Sequence, residues 1–565
     1  MSSKTKNILI GGEAGQGLLT VGQILIRSIT KSGYSVLVTQ SIQSRIRGGH
    51  NTFAIHLGTK KVIAPRESVD ILVALNEETA KLHVQELSSD GCAIIDENWK
   101  IEEKIDDETR LLKVPFQKWG SDKLSNISAL GVVSSLLGLD QSLVAEVITD
   151  FFSSLDNVKL KQNVSMFESA YSWTREQSLS FEKLPASNYA LNHLLMTGND
   201  AIALGALTSG LKFYSFYPMT PATSIGATLA AKAEDAGIIV EQAEDEISAI
   251  NMAIGASFAG APSMVGTSGG GFALMVEGVS LAAMTETPLV IVVAQRPGPA
   301  TGLPTRTEQA DLEFVLHSGH GEFPRAIFAP GTIDECFYLT HKAFELAEQY
   351  QSPIFILTDH FQADSFQDTS PFNIDKLQPV KAGTDPETVS LPYNRYAITE
   401  NGVSPRLIPG FSKNLVVADS DEHTEDGHIT ENLTVRRLMV QKRIKKIDGL
   451  INEVIPPEAQ GDEKPDLLLV SWGSSKGAVR EAATSLSYSG KRTATLHFSQ
   501  VWPLAPDTFM NYLEEAHEVV CVEGNATGQL ARLIRRETGF KIKRKVIRYD
   551  GLPITMEYIL NMLSK

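Results

Sequence analysis

Five short apolar runs, at 213–216, 238–241, 263–267, 289–294 and 353–357, alternate with helical stretches at 221–236, 245–259, 272–283 and 333–349. Strands that alternate with helices predict a parallel sheet covered on both sides. In such sheets ligands bind at the carboxyl edge, where the loops leave the strands. The loops of this region are therefore where chemistry is to be sought.

The same alternation recurs at both ends of the chain. Runs at 7–11, 36–38, 71–74 and 92–96, with helices at 18–31 and 77–87, predict a further parallel sheet. Runs at 466–470, 493–498 and 518–523 predict a third. The expected fold class is α/β, with three α/β domains at 1–180, 193–372 and 461–565. A chain of 565 residues is too long for one core. The segment 373–460 is rich in Pro, Asp and Gly and reads as a long irregular excursion, closed by a helix at 435–448. Loops of that length are functional or disordered. Its acidic run, 421–426, is either a solvated loop or a cation site.

Bulk properties exclude several classes. The net charge of −16 argues against a nucleic-acid partner, which needs a basic surface. No apolar run is long enough to cross a bilayer. The start of the chain is polar and lacks the apolar core of a secretory signal, so the cytoplasm is the expected location. Cys92, Cys336 and Cys521 are too few to hold an iron–sulfur cluster with four thiolates. No H-E-x-x-H or clustered histidines indicate zinc, so no metal ligand is assigned to this chain.

Four loops then converge on one sheet edge. Tyr217-Pro218-Met219-Thr220-Pro221 follows the first strand, and Pro221 suits the first position of a helix with Thr220 as its cap. Glu244-Asp245-Glu246 opens the next helix, which continues with the small residues Ala249, Ala253, Gly255 and Ala256. Acids favour helix starts, but three exceed what capping requires. Thr267-Ser268-Gly269-Gly270-Gly271 reads as a sharp turn whose glycines let a ligand approach the backbone. The loop 295–311 sets Arg296 and Arg306 among prolines and glycines, and arginine clamps carboxylates in two-point fashion. Singly, each loop is no more than a well-made turn.

Together these loops resemble the 2-oxoacid:ferredoxin oxidoreductase family. Its activating domain carries Y-P-[IM]-T-P, an acidic helix start, a T-S-G-G-G turn and T-G-x-P-T-R-T-E-Q-x-D, in that order. Residues 11–17 with Ser44-Arg45-Ile46-Arg47-Gly48-Gly49 resemble its gamma domain, and Gly524-Asn525-Ala526-Thr527-Gly528-Gln529-Leu530 resembles its transketolase-C-like domain. The middle domain then corresponds to the pyrimidine side of a thiamine-diphosphate enzyme. The order resembles a fused gamma–alpha large subunit.

The resemblance implies a reaction of a 2-oxoacid, coenzyme A and oxidised ferredoxin to acyl-coenzyme A, carbon dioxide and reduced ferredoxin. Glu246 and Thr220 would be catalytic, Glu246 by hydrogen-bonding the aminopyrimidine of thiamine diphosphate. Tyr217, Pro218, Ser268, Gly269 and Gly270 would line the cofactor. Thr220, Arg296 and Arg306 would hold substrate, and the fused order and L-P-T-R-T loop lean toward 2-oxoglutarate. Pyruvate and branched-chain oxoacids stay open. Gly15, Gly17, Arg45 and Arg47 would meet coenzyme A; the same glycine loop equally reads as a tight turn at a domain interface. Gly461-Asp462-Glu463 is not a diphosphate–magnesium motif, so a smaller beta subunit would bring Mg2+ and a [4Fe–4S] cluster, in a dimer of alpha–beta pairs. The competing classes are a non-redox thiamine-diphosphate enzyme and a non-catalytic scaffold on the same folds.

Overall fold

The computed structural model describes residues 4–42, 48–101, 110–119, 125–177 and 181–565. Arg45 and Arg47 lie outside the described residues. The chain forms two compact units. The first is Met1–Met196 with Ser365–Pro371 and Thr555–Glu557, and the second is the remainder.

The first unit is built on an eight-stranded sheet. Its spatial order is Arg110–Val114, Leu87–Asp96, Val69–Ala74, Thr5–Ala14, Gly48–Gly58, Ser35–Ser41, Phe366–Thr369 and Leu194–Met196. The first four are parallel, but Gly48–Gly58 runs antiparallel to both of its neighbours. The sheet is therefore mixed, which corrects the expectation of a parallel one. The cause is legible afterwards: Phe53, Ile55 and Leu57 alternate along this strand and are all buried. The helix Leu18–Lys31 lies close above them, because a Cβ on Gly22 would come within 2.6 Å of the Phe53 ring. Asp368 fastens the late segment to this sheet. It accepts from Ser35 Oγ at 2.6 Å, Val36 N at 2.7 Å and His193 Nδ1 at 2.7 Å.

The second unit holds two sheets. All five strands expected between 213 and 357 are present, with ends shifted by one or two residues. Their sheet runs Gln500–Trp502, Ala326–Phe328, Pro353–Asp359, Leu289–Gln295, Ser263–Thr267, Phe213–Phe216, Ile239–Gln242. It is parallel except at its Gln500–Trp502 edge. The other sheet runs Glu458–Gly461, Thr493–Phe498, Leu467–Trp472, Glu518–Glu523, Arg544–Ile547. Glu458–Gly461, exposed throughout, is its antiparallel edge. One hydrophobic core joins the two sheets, with Phe272, Val293 and Leu312 packed in the same cluster as Trp472, Phe498 and Leu530. No helix among the described residues is long and apolar enough to cross a membrane.

The excursion is irregular, as its composition implied, and ends in the helix Leu433–Asn452. It is pinned by a buried charge cluster. Glu286, fully buried, receives Lys442 Nζ at 2.6 and 2.9 Å and also pairs with Lys446. Arg395 donates to the Glu286 carbonyl at 2.8 Å and to Gln351 Oε1 at 2.9 Å. Burial pushes the Glu286 carboxyl up, but the charges of Lys446, Lys442 and Arg395 outweigh it and hold the group below the usual carboxylate range. The acidic run is no solvated loop at Glu422, which pairs with Arg443 at 2.8 Å and Arg436 at 2.5 Å. Removing one partner from a buried ion cluster costs about 3–5 kcal/mol because the others stay desolvated. Glu286→Ala is therefore expected to lower the melting temperature by several degrees in calorimetry, whereas Asp421→Ala, at an exposed position of the excursion, is expected to shift it little.

Candidate active site

The site is assembled at the carboxyl edge of the seven-stranded sheet. After Phe213–Phe216 the chain turns, with Met219 O accepting from Ala222 N at 2.8 Å, and the helix Thr223–Ala230 begins only after Ala222. Thr220 is thus not the helix cap and Pro221 not its first residue, contrary to the sequence expectation. The Pro221 carbonyl is taken by Asn199 Nδ2 at 2.8 Å, outside any helix ladder. The Thr220 carbonyl accepts from Arg296 Nη1 at 2.7 Å. The arginine-bearing loop at this edge thus meets the Tyr217–Pro221 turn directly. Tyr217 is 39% exposed at the rim.

Asp245 caps the helix Glu246–Phe258 through Ser248 N at 2.7 Å, which leaves Glu246 free of capping duty. Glu246 is only 4% exposed, yet its carboxylate has no hydrogen-bond partner among the described residues.

The triple glycine is not a turn between elements; it forms the first turn of the helix Gly269–Met284, with Ser268 as cap residue. Two of the three glycines are required by packing. A Cβ on Gly269 would lie 2.3 Å from Asp311 Oδ2, and one on Gly271 would lie 2.2 Å from Thr267 Oγ1 and 2.6 Å from Glu246 Oε1. Gly270 is exposed, its nearest neighbour the Ala300 carbonyl at 3.6 Å. The Ser268 hydroxyl is buried without a partner.

The arginine-bearing loop is fixed at several points. Asp311 N donates to Gln295 Oε1 at 2.9 Å, and Thr307 Oγ1 donates to Asp359 Oδ1 at 3.1 Å. Gly302 is left-handed, and any side chain there would strike the Pro297 carbonyl. Burial lowers the Arg296 pKa. Three carboxyls nearby are raised: Glu308 to about 7 by burial and Asp311, Asp311 to about 6 by burial, and Asp364 to about 7 mainly by burial. His360, which sequence reasoning passes over, begins the helix His360–Asp364 at this edge. Burial, then the charges of Arg306 and Arg296, lower its pKa to about 4. A lone histidine after an apolar strand carries no signal in the sequence.

Contacts thus bring Thr220, Glu246, Ser268, Gly269, Gly270, Arg296 and the loop of Arg306 to one edge of the second unit. Gly15 and Gly17 belong to the first unit. Gly17, left-handed at φ 74°, precedes the helix Leu18–Lys31, and Gly15, also left-handed, has open space around it. Gln16 Oε1 accepts from Glu13 N at 2.7 Å and closes this loop on itself.

A parallel sheet whose carboxyl edge gathers a buried glutamate, a glycine-rich helix start and an arginine-bearing loop has the form of an α/β enzyme domain. Comparison with known proteins narrows the class. Residues 204–442 match the family described as pyruvate flavodoxin/ferredoxin oxidoreductase, thiamine diphosphate-binding, and residues 7–173 match pyruvate ferredoxin/flavodoxin oxidoreductase. A 2-oxoacid:ferredoxin oxidoreductase alpha subunit from a Sulfolobus species is 30% identical over 99% of this chain and 96% of its own. A 2-oxoglutarate oxidoreductase subunit KorA from Mycobacterium tuberculosis is 27% identical over 94% and 87%. The solved 2-oxoglutarate:ferredoxin oxidoreductase from Magnetococcus marinus, with 2-oxoglutarate, coenzyme A and succinyl-CoA bound, superposes with a TM-score of 0.94 at 29% identity over 99% of both chains. The chain belongs to the 2-oxoacid:ferredoxin oxidoreductase family and is an alpha subunit with a thiamine-diphosphate domain.

The glycine geometry separates packing from ligand approach. Gly271→Ala is expected to destabilise the fold by about 1–3 kcal/mol through overpacking against Thr267 and Glu246. Gly270→Ala is expected to leave the melting temperature unchanged or raised, since alanine is favoured over glycine in a helix by about 1 kcal/mol. Thermal unfolding of the two variants side by side checks both.

Proposed function

We propose that this chain, with a beta subunit, catalyses the coenzyme-A-dependent oxidative decarboxylation of 2-oxoglutarate, with electrons passed to ferredoxin. The observation that carries the reading is Glu246: a buried carboxylate without a protein partner, at the mouth of a site walled by glycine. The fit to the pyrimidine half of thiamine diphosphate rests on unmet polar atoms. Glu246 and the Ser268 hydroxyl lack partners among the described residues, and the backbone at Gly270 is open to a flat ring. Glu246 would hold the ring nitrogen, Ser268, Gly269 and Gly270 its face, and Tyr217 and Pro218 the rim. When bound, the cofactor supplies the nucleophilic carbon and the electron sink for decarboxylation.

Glu246 acts by sharing a proton with that ring nitrogen, which a carboxylate without competing partners does best. Gly271 lets it stand close to the helix start. Thr220 offers its hydroxyl to substrate beside the reacting carbon, and Arg296 and Arg306 hold substrate carboxylate. The names of the 2-oxoglutarate oxidoreductase relatives and the 2-oxoglutarate complex of the structural neighbour support that substrate. The coenzyme A of the same neighbour supports coenzyme A as acyl acceptor, and Gly15, Gly17, Arg45 and Arg47 are proposed to meet it. No group of three or more His, Cys, Asp or Glu side chains among the described residues is arranged for a metal ion. Because three cysteines cannot supply four thiolates, a [4Fe–4S] cluster, and with it Mg2+, are proposed to lie on the beta subunit, in a dimer of alpha–beta pairs.

Glu246→Gln keeps the size of the side chain and removes the negative charge. In the purified alpha–beta complex it is expected to lower ferredoxin reduction at least about a hundredfold, the usual scale for loss of a proton-transfer group, with melting temperature and subunit assembly retained. Wild-type turnover in this variant contradicts the proton-sharing role. A panel of 2-oxoglutarate, pyruvate and branched-chain oxoacids decides the substrate.

A further inference from the structure

Arg296 and His360 are neighbours by sheet register. Gln295 pairs with Asp359 on adjacent parallel strands, so Arg296 and His360 are the next residues beyond the last rung. Arg306 is brought to the same place by Thr307. The Thr307 hydroxyl donates to Asp359 Oδ1 at 3.1 Å and accepts from Phe361 N at 3.1 Å, and so bonds both residues that flank His360. The imidazole is 13% exposed and therefore still reachable.

One buried donor beside this ring, Arg296 Nε, has no acceptor among the described residues. Asp364, four residues on, stands with Oδ2 at 3.6 Å from His360 Nε2, beyond a hydrogen bond, and burial holds it toward its protonated form. Asp359, the other acid beside the ring, is fully committed to Thr307, Ser474 and the backbone of Gln362. Asp364 in turn accepts from Ser224 at 3.4 Å, and Ser224 accepts from Asn199, which also holds Pro221. A hydrogen-bond chain thus connects His360's helix to the Tyr217–Pro221 turn. A buried guanidinium N–H without an acceptor calls for an anion.

We propose that His360 is a specificity-determining residue: its imidazole, beside Arg296 and Arg306, donates a hydrogen bond to the carboxylate of a dicarboxylic 2-oxoacid that lies remote from the keto group. The inference rests on the reading of Arg296 and Arg306 as carboxylate clamps. A monocarboxylic oxoacid occupies an arginine with its single carboxylate and leaves His360 without an acceptor. A dicarboxylate satisfies both. Selectivity then comes from a polar group that is met by one substrate and stranded by the other.

The test compares wild-type, His360→Leu and His360→Gln alpha–beta complexes. Ferredoxin reduction is followed with 2-oxoglutarate and with 2-oxopentanoate, which has the same carbon chain without the second carboxylate. Binding of glutarate, which cannot react, is measured by titration calorimetry. His360→Leu is expected to raise the 2-oxoglutarate KM and the glutarate Kd about tenfold or more, the scale of one hydrogen bond to a charged group. Its kcat and its 2-oxopentanoate KM stay near wild type. His360→Gln, which keeps a donor, recovers most of the loss. Equal changes for both substrates, or none for either, overturn the inference. If His360→Leu does not assemble, His360→Asn is read against His360→Gln by the same criterion. Arg306→Leu separates the two levels. If it leaves 2-oxoglutarate and glutarate unaffected, the clamp reading fails; if it weakens both selectively while the His360 variants do not, only the role of His360 falls.

Discussion

The arginine-bearing loop keeps its shape through one side-chain amide. Gln309 Nε2 donates to the Trp472 carbonyl at 3.0 Å, and its Oε1 accepts from Gly524 N at 2.9 Å. Its own N–H donates back to the Gly524 carbonyl at 2.6 Å. Gly473 and Gly524 make the approach possible, since a Cβ on either would lie within about 3 Å of the amide. These bonds are buried, so losing one exposes a partner that water cannot reach. Everything at the sheet edge depends on them. Thr307, Arg306 and Asp311 are placed by the loop that Gln309 anchors, and Asp311 in turn stands against Gly269.

The C-terminal sheet therefore serves the site of the preceding one. Its Gly524–Leu530 segment repeats the device with a second amide. Gln529 donates to the Ala310 carbonyl at 2.6 Å and accepts from Glu313 N at 2.9 Å. Glu523, fully buried, accepts from Leu530 N, Ala531 N, Asn525 and Trp472, so a carboxylate sits at the start of the helix Gln529–Thr538. That arrangement fixes where Gln529 points. The glycines and amides of the segment are explained by this contact without assigning it a ligand.

What the sequence reveals and conceals follows from range. Strands such as Leu289–Gln295 are legible because burial on both faces leaves an uninterrupted apolar run. The helix start near Thr220 and Pro221 is not, because Thr-Pro suits a cap and a turn equally, and the decision falls to Asn199, far upstream. The glycines at 269–271 suggest a turn because glycine is a poor helix former. Here the crowding of Asp311, Thr267 and Glu246 excludes any larger residue at two of the three positions. The strand Gly48–Gly58 escapes the sequence reading although its alternation is plain, and with it the mixed character of the first sheet. His360 carries no sequence signal, and Gln309, although part of the T-E-Q-x-D motif, shows its anchoring role only through partners on other strands and loops.

The charge balance of the site runs against that of the chain. A net charge of −16 disfavours the approach of a dianion, and only local cations can reverse it. Two arginines achieve that only if nearby carboxylates do not neutralise them. Among the acids of this edge, burial raises Glu308 and Asp364 to about 7 and Asp311 to about 6. Near neutral pH Glu308 and Asp364 are therefore partly protonated, and Asp311 less so. Burial thus acts electrostatically as well as through packing. It mutes these acids and so, on the proposed reading of Arg296 and Arg306, limits how far they compete with the carboxylates of an incoming substrate.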